Sequence, residues 1–216
     1  MTRRLALHAC VLGVALGCAP TAVDVPAGDT APFQSPPAGT SALPAGLGTL
    51  HQDEFTLAIR AAPLLIKITP LAEEVIRLAA PDTYNRLHAL ASSRHAEAQS
   101  AARTAEPALF LVSVFSEQPD APFQPEDLQL LSRGRLLRPR AILPITPEWG
   151  RQRLAQRETQ SAIYVFDAEV DLELPFVARY GAWESNDWYR ILDRLRGERE
   201  RVRARAGARG ELRPGA

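Results

Sequence analysis

Between Ala19 and Gly46 the chain carries six prolines (Pro20, Pro26, Pro32, Pro36, Pro37 and Pro44) among Ala, Thr, Ser and three glycines. This stretch constrains the fold more than any other feature. Its only charges are Asp24 and Asp29, and its lone aromatic is Phe33. Such a segment buries too little apolar surface to offset the entropy lost on ordering. It reads as an extended tether whose maximum reach is of order 80 Å at about 3 Å per residue. Folding is therefore expected from Leu50 onward. The roughly 160 residues that follow are enough for one domain with its own core.

Ahead of the tether stand a short cationic stretch, Thr2-Arg3-Arg4, and an apolar run from Leu5 to Leu16. That run is too short for a membrane span, which needs about 20 apolar residues. Small residues Ala15 and Gly17 flank Leu16 just before Cys18. This is the plan of a secretory signal. The only cysteines are Cys10, inside the apolar run, and Cys18. Once the signal is removed, one thiol is left at the first position, and it can form no disulfide within the chain.

The segment ALGC (Ala15 to Cys18) resembles the lipobox of bacterial lipoproteins, although that family usually has Leu where Ala15 stands. The resemblance implies that residues 1–17 are removed and that Cys18 is lipidated. With Ala19 next, it also implies outer-membrane sorting, with the domain facing the periplasm. Several acyl chains at Cys18 would hold firmly where one chain would not. The other reading is an ordinary signal peptide that happens to contain Cys18. The expected organisation is a signal peptide (1–17), a lipidated N-terminus and tether (18–49), one globular domain (50–206) and a disordered tail (207–216).

Within the domain, Leu64 to Thr69 reads as a strand. Thr69-Pro70-Leu71-Ala72-Glu73 reads as a helix start, with Pro in the first turn and an acid near the N-terminus. That helix is expected to run to Ala80, and a second from Asp82 to about Ala102. Leu109 to Phe115 is apolar on both faces, as in a central strand. Asp127 to Leu131 and Leu136 to Ile145 flank a tight turn at Ser132-Arg133-Gly134. Thr146-Pro147-Glu148-Trp149 suggests a short helix to Arg157. Ser161 to Phe166 and Phe176 to Tyr180 read as strands, and a closing helix follows Ser185 or Asn186. In that helix Trp188, Ile191, Leu192 and Leu195 form one apolar stripe. The arginine-rich half after Gly197 is expected to project into solvent.

The order FQPEDLQLLSRGRLLRP (Phe123 to Pro139), AIYVFD (Ala162 to Asp167) and ELPFVARY (Glu173 to Tyr180) is similar to immunoglobulin-like domains of bacterial envelope lipoproteins. The Cys–Trp–Cys core of antibody domains is absent. The expected class is mostly β with helical insertions (α+β): an immunoglobulin-like β-sandwich with a helical insertion and a C-terminal helix.

Chemistry-bearing patterns are few. The chain lacks HExxH, GxSxG, a Walker loop and CxxC. Ala45-Gly46-Leu47-Gly48 lacks the third glycine of a dinucleotide fingerprint. His88 and His95 are seven apart, about 10.5 Å along a helix, whereas helical metal ligands stand three or four apart. Glu73-Glu74 and Glu126-Asp127 are adjacent, so their side chains diverge. Asp167, Glu169, Asp171 and Glu173 alternate with apolar residues and read as a solvated strand face, the other reading being a calcium or cationic-partner site. Trp149, Trp183 and Trp188 are expected to pack on the sheet. The 25 basic and 25 acidic residues cancel, which argues against nucleic acid as a partner. No catalytic residue, metal or cofactor is expected. The leading reading is a non-enzymatic protein-interaction module whose partners are the membrane, through lipid, and an envelope protein. A small-ligand or glycan-binding lipoprotein is the second reading, and an envelope hydrolase the third.

Overall fold

The computed structural model describes residues 43–210. Cys18, the signal peptide, the tether through residue 42 and the last six residues lie outside the described residues. The described chain is mixed α/β, about 35% helical and 33% strand. Helix thus equals strand, against the mostly-β expectation, because two helices exceed twenty residues each.

Five strands form the larger antiparallel sheet: β1 (Leu57–Ala61), β2 (Leu64–Pro70), β3 (Ala108–Ser116), β7 (Ala141–Pro144) and β9 (Glu158–Phe166), in the order β1-β2-β3-β9-β7. At its centre β3 and β9 pair over nine residues, from Ala108↔Phe166 to Ser116↔Glu158. The two-sided apolar run of β3 is explained by this central place. A smaller sheet has the order β11-β10-β5-β6, with β5 (Leu128–Ser132), β6 (Arg135–Leu137), β10 (Phe176–Tyr180) and β11 (Trp183–Ser185). The β5–β6 turn is the one expected at Arg133-Gly134. Both residues have positive φ, 50° and 74°, the twist that a two-residue hairpin requires. A short pair, β4 (Ala121–Pro122) with β8 (Arg153–Leu154), lies beside them.

A chain of aromatic rings joins the layers. Phe110 on β3 meets Phe166 on β9 at 5.5 Å and Phe176 on β10 at 6.4 Å, both edge to face. Phe176 in turn lies 4.8 Å from Trp188, which is fully buried at the start of the closing helix. Each such contact adds about 0.5–1.5 kcal/mol beyond area burial. A second set, Phe123, Trp149 and Tyr164, extends the same face of the sheet, since Tyr164 is the register partner of Phe110, and the buried Tyr164 hydroxyl donates to the Pro125 carbonyl at 2.9 Å.

Three α-helices complete the unit: α1 (Glu73–Ile76), α2 (Pro81–Ala102) and α3 (Trp188–Ala208). The first is far shorter than the helix expected to reach Ala80. The reason is local: Leu78 to Ala80 turn away to bond the entering chain. Leu50 N–H donates to Leu78 O at 3.1 Å, and Ala80 N–H to Leu50 O at 2.9 Å. Gly48 presses on the same backbone, where a Cβ would stand 2.1 Å from the Leu78 carbonyl carbon. Only glycine fits that approach. Leu43, Leu47 and Leu50 are all buried. The folded unit therefore starts by Leu43, inside the span 18–49 assigned to the tether.

Three further expectations change. The strand-like run from Leu136 to Ile145 divides at Arg138-Pro139-Arg140 into β6 and β7, which belong to different sheets. After Thr146 a 3-10 turn, Pro147–Arg151, replaces the short helix, and the chain goes straight into β8. Trp149 still packs inward, as expected. The second half of α3 does not project into solvent. Glu198, Val202 and Ala206 are buried, and helix continues to Ala208, past the expected end of the domain at 206.

Candidate functional site

The four alternating acids lie in an irregular loop rather than on a strand face. Val170 and Leu172 tuck inward, and Leu172 O accepts from Trp188 Nε1 at 3.3 Å. Each acid then meets an arginine. Asp167 pairs with Arg140 at 2.7 Å, Glu169 with Arg135 at 2.8 Å, Asp171 with Arg133, and Glu173 with Arg199 at 3.1 Å. The row fastens its loop to β6, to the chain after β6 and to α3. Among the described residues no group of three or more His, Cys, Asp or Glu side chains could hold a metal ion.

His88 has a role that spacing alone does not show. Its Nδ1 lies 2.5 Å from Glu73 Oε1, and Ser92 Oγ lies 3.5 Å from its Nε2. Arg77 Nε donates to the other Glu73 oxygen at 2.6 Å, and Tyr84 stacks on the imidazole with centroids 5.3 Å apart. Partial burial pushes the Glu73 carboxyl up, but hydrogen bonds from Arg77 and His88 outweigh it and hold it below the usual range. The order acid–imidazole–hydroxyl is that of a nucleophilic relay. Ser92, however, is exposed mid-helix, where the surrounding N–H groups are committed to helical carbonyls and cannot serve an oxyanion. What the cluster does is tie α1 to α2. His95 is exposed further along the same helix, and Glu97 pairs with Arg94 at 2.8 Å.

The surface with an unspent interaction is the outer face of the small sheet. Register places Val177, Leu131 and Leu136 side by side across β10, β5 and β6. Cross-strand partners share a face, and the buried partners Leu130 and Ala178 occupy the opposite one. This apolar row therefore points outward. Val177 and Leu131 line a groove of about 720 Å³ together with Pro175 and Tyr189, and Leu136 continues the row beyond it. Tyr189 is 62% exposed and Leu136 46% exposed, and both are large apolar side chains. Arg133 and Arg190 stand at the rim, each already paired with an acid, Asp171 and Asp187. The groove is apolar in its floor and near neutral at its edge. Its sequence signal was the doublet Leu130-Leu131 followed by Leu136-Leu137, where a half-solvated hairpin would show polar alternation.

No helix among the described residues is long and apolar enough to cross a membrane. Comparison with protein families, curated proteins and solved structures finds no match to this chain.

Proposed function

We propose that this is a lipid-anchored outer-membrane protein whose periplasmic domain docks an apolar segment of another envelope protein in the groove beside Tyr189. The observation that carries the docking is the outward row Val177, Leu131 and Leu136. Contiguous exposed apolar surface is uncommon on a monomer and marks interaction sites. The paired arginines at the rim leave little net charge to attract nucleic acid or an anionic lipid surface. The anchor rests on Cys18 and its neighbours in the sequence. The aromatic contact between Phe110 and Phe176 supports reading the two sheets as a sandwich. The immunoglobulin-like reading of the stretch from Phe123 to Tyr180 rests on the β5–β6 hairpin, β9 and β10, and the β1-β2-β3 meander is outside that pattern.

Photo-crosslinking in intact cells tests the docking. A crosslinker in place of Tyr189 is expected to capture a distinct envelope protein, and one in place of Ala96 on α2 is not. Leu131→Asp should abolish the capture. A product of twice the chain's own mass would make the occupant a second copy, and equal labelling from both positions would refute the groove. Cys18→Ser tests the anchor, since the variant should leave the membrane fraction after a salt wash.

A further inference from the structure

A second cleft lies where β11 comes alongside the edge strand β1, away from the apolar groove. Register sets Arg60, Leu65 and Phe115 in one row across β1, β2 and β3. Glu117 and Gln118 continue from the end of β3, and Trp183 closes the cleft from β11. The cavity measures about 370 Å³, within the range of small-ligand sites.

The polar side chains here are left with their bonding capacity open. Most arginines of the domain bond a carboxylate or a carbonyl, as the acid loop and α3 illustrate. By contrast, the side chains of Arg60, Glu117, Gln118 and Trp183 have no hydrogen-bond partner among the described residues. Arg60 and Glu117 line one cleft without pairing. Trp183 is 51% exposed, against the expectation that it packs on the sheet, while Trp149 and Trp188 are buried.

The combination selects a chemical class. An anion drawn to Arg60 would meet Glu117, and a cation drawn to Glu117 or to the indole would meet Arg60. Opposed charges in one cleft favour a neutral ligand rich in hydrogen-bonding groups. The planar guanidinium, carboxylate and carboxamide each present paired donors or acceptors, which suit adjacent hydroxyls. The indole face suits a rigid face of C–H groups. A sugar ring has both. We propose that this cleft binds a neutral pyranose of a glycan, Trp183 stacking on its C–H face while Arg60, Glu117 and Gln118 bond its hydroxyls. The inference stands apart from the docking groove and does not depend on it.

Because Trp149 and Trp188 are buried, Trp183 is the natural fluorescent reporter. The full chain in detergent is titrated with triacetylchitotriose, cellotriose, inorganic phosphate and spermine. At least one trisaccharide should give a saturable change in tryptophan emission by about 10 mM, as a Kd near 1 mM requires. Saturation-transfer NMR on the same trisaccharides supplies a readout that does not rely on the indole. By that measure Trp183→Ala should remove binding, and Glu117→Gln and Arg60→Gln should each weaken it about three- to tenfold. The thermal midpoint should stay unchanged, because all three side chains are exposed. Saturation by phosphate or spermine alone, saturation by neither sugar, or sugar binding that survives Trp183→Ala would each overturn the proposal.

Discussion

The two long helices are nearly equal in length, 22 residues for α2 and 21 for α3, yet they relate to the core in opposite ways. Along α2 only Leu87 and Ala98 are buried, with Tyr84, Leu90 and Ala91 packed at its margin. Along α3 the buried positions are Trp188, Ile191, Leu192, Leu195, Glu198, Val202 and Ala206, one stripe over the whole length. The stripe passes through a carboxylate. Glu198 is fully buried and accepts from Arg205 at 2.9 Å, from Arg201 at 2.7 Å, and from both the amide and hydroxyl of Thr49. Arg205 also donates to Leu47 O at 2.6 Å. The end of α3 is thus the clamp that receives the chain as it enters the domain. A charge inside a helical stripe marks exposure only when nothing in the rest of the molecule meets it.

The comparison breaks most readily at Leu195. Leu195→Asp puts an unpaired charge in the core and should unfold the domain, as seen by loss of the cooperative thermal transition. Ala96→Asp on the exposed face of α2 should shift stability by less than about 0.5 kcal/mol. Next in size is truncation after Gly197. It removes Val202, Ala206 and the Glu198 clamp, and should cost about 3–5 kcal/mol in urea titration. A truncated chain as stable as the intact one would return the second half of α3 to solvent.

Glu198→Ala isolates the clamp and should cost about 2 kcal/mol, the order of a hydrogen-bonded charge. Burial pushes the Glu198 carboxyl up, but bonds from Arg205, Arg201 and Thr49 prevail and hold it below its ordinary value of 4.5. Its contribution is therefore complete above about pH 4.5 and is lost as pH falls through the lower folded value. In Glu198→Gln the midpoint should fall less steeply with acid over that window. The smallest effect belongs to α2. The Glu73–His88 contact is nearly half exposed on both sides. His88→Ala should therefore cost less than about 1 kcal/mol in urea titration.

Much of this architecture was legible along the chain. Strand β10 has the bounds read from the sequence, β3 and β9 differ by a few residues, and the Arg133-Gly134 turn stands where its residues call for it. Apolar alternation and turn chemistry are local properties, so local reading recovers them. The acid loop was misread because alternation of Asp and Glu with Val and Leu has a strand's period. Its arginine partners lie 27 to 38 positions earlier for Asp167, Glu169 and Asp171. The two leucine doublets of the β5–β6 hairpin signalled excess apolar surface, but which of their residues face outward was decided only by register.

By itself the sequence determined that a proline-rich stretch precedes one folded unit, which segments form the central strands, and that the closing helix begins with an apolar stripe. Those are consequences of composition and period, which act over a few residues. Tertiary structure alone decided that Leu43 to Leu50 belongs to the core and that Glu198 is buried. It also decided that Trp188 is buried while Trp183 is left in the open. Thr49 and Glu198 are 149 positions apart, and Arg205 and Leu47 are 158 apart. Whether a polar group at such a position is solvated or enclosed depends on what arrives from the far end of the chain, and no periodicity records that.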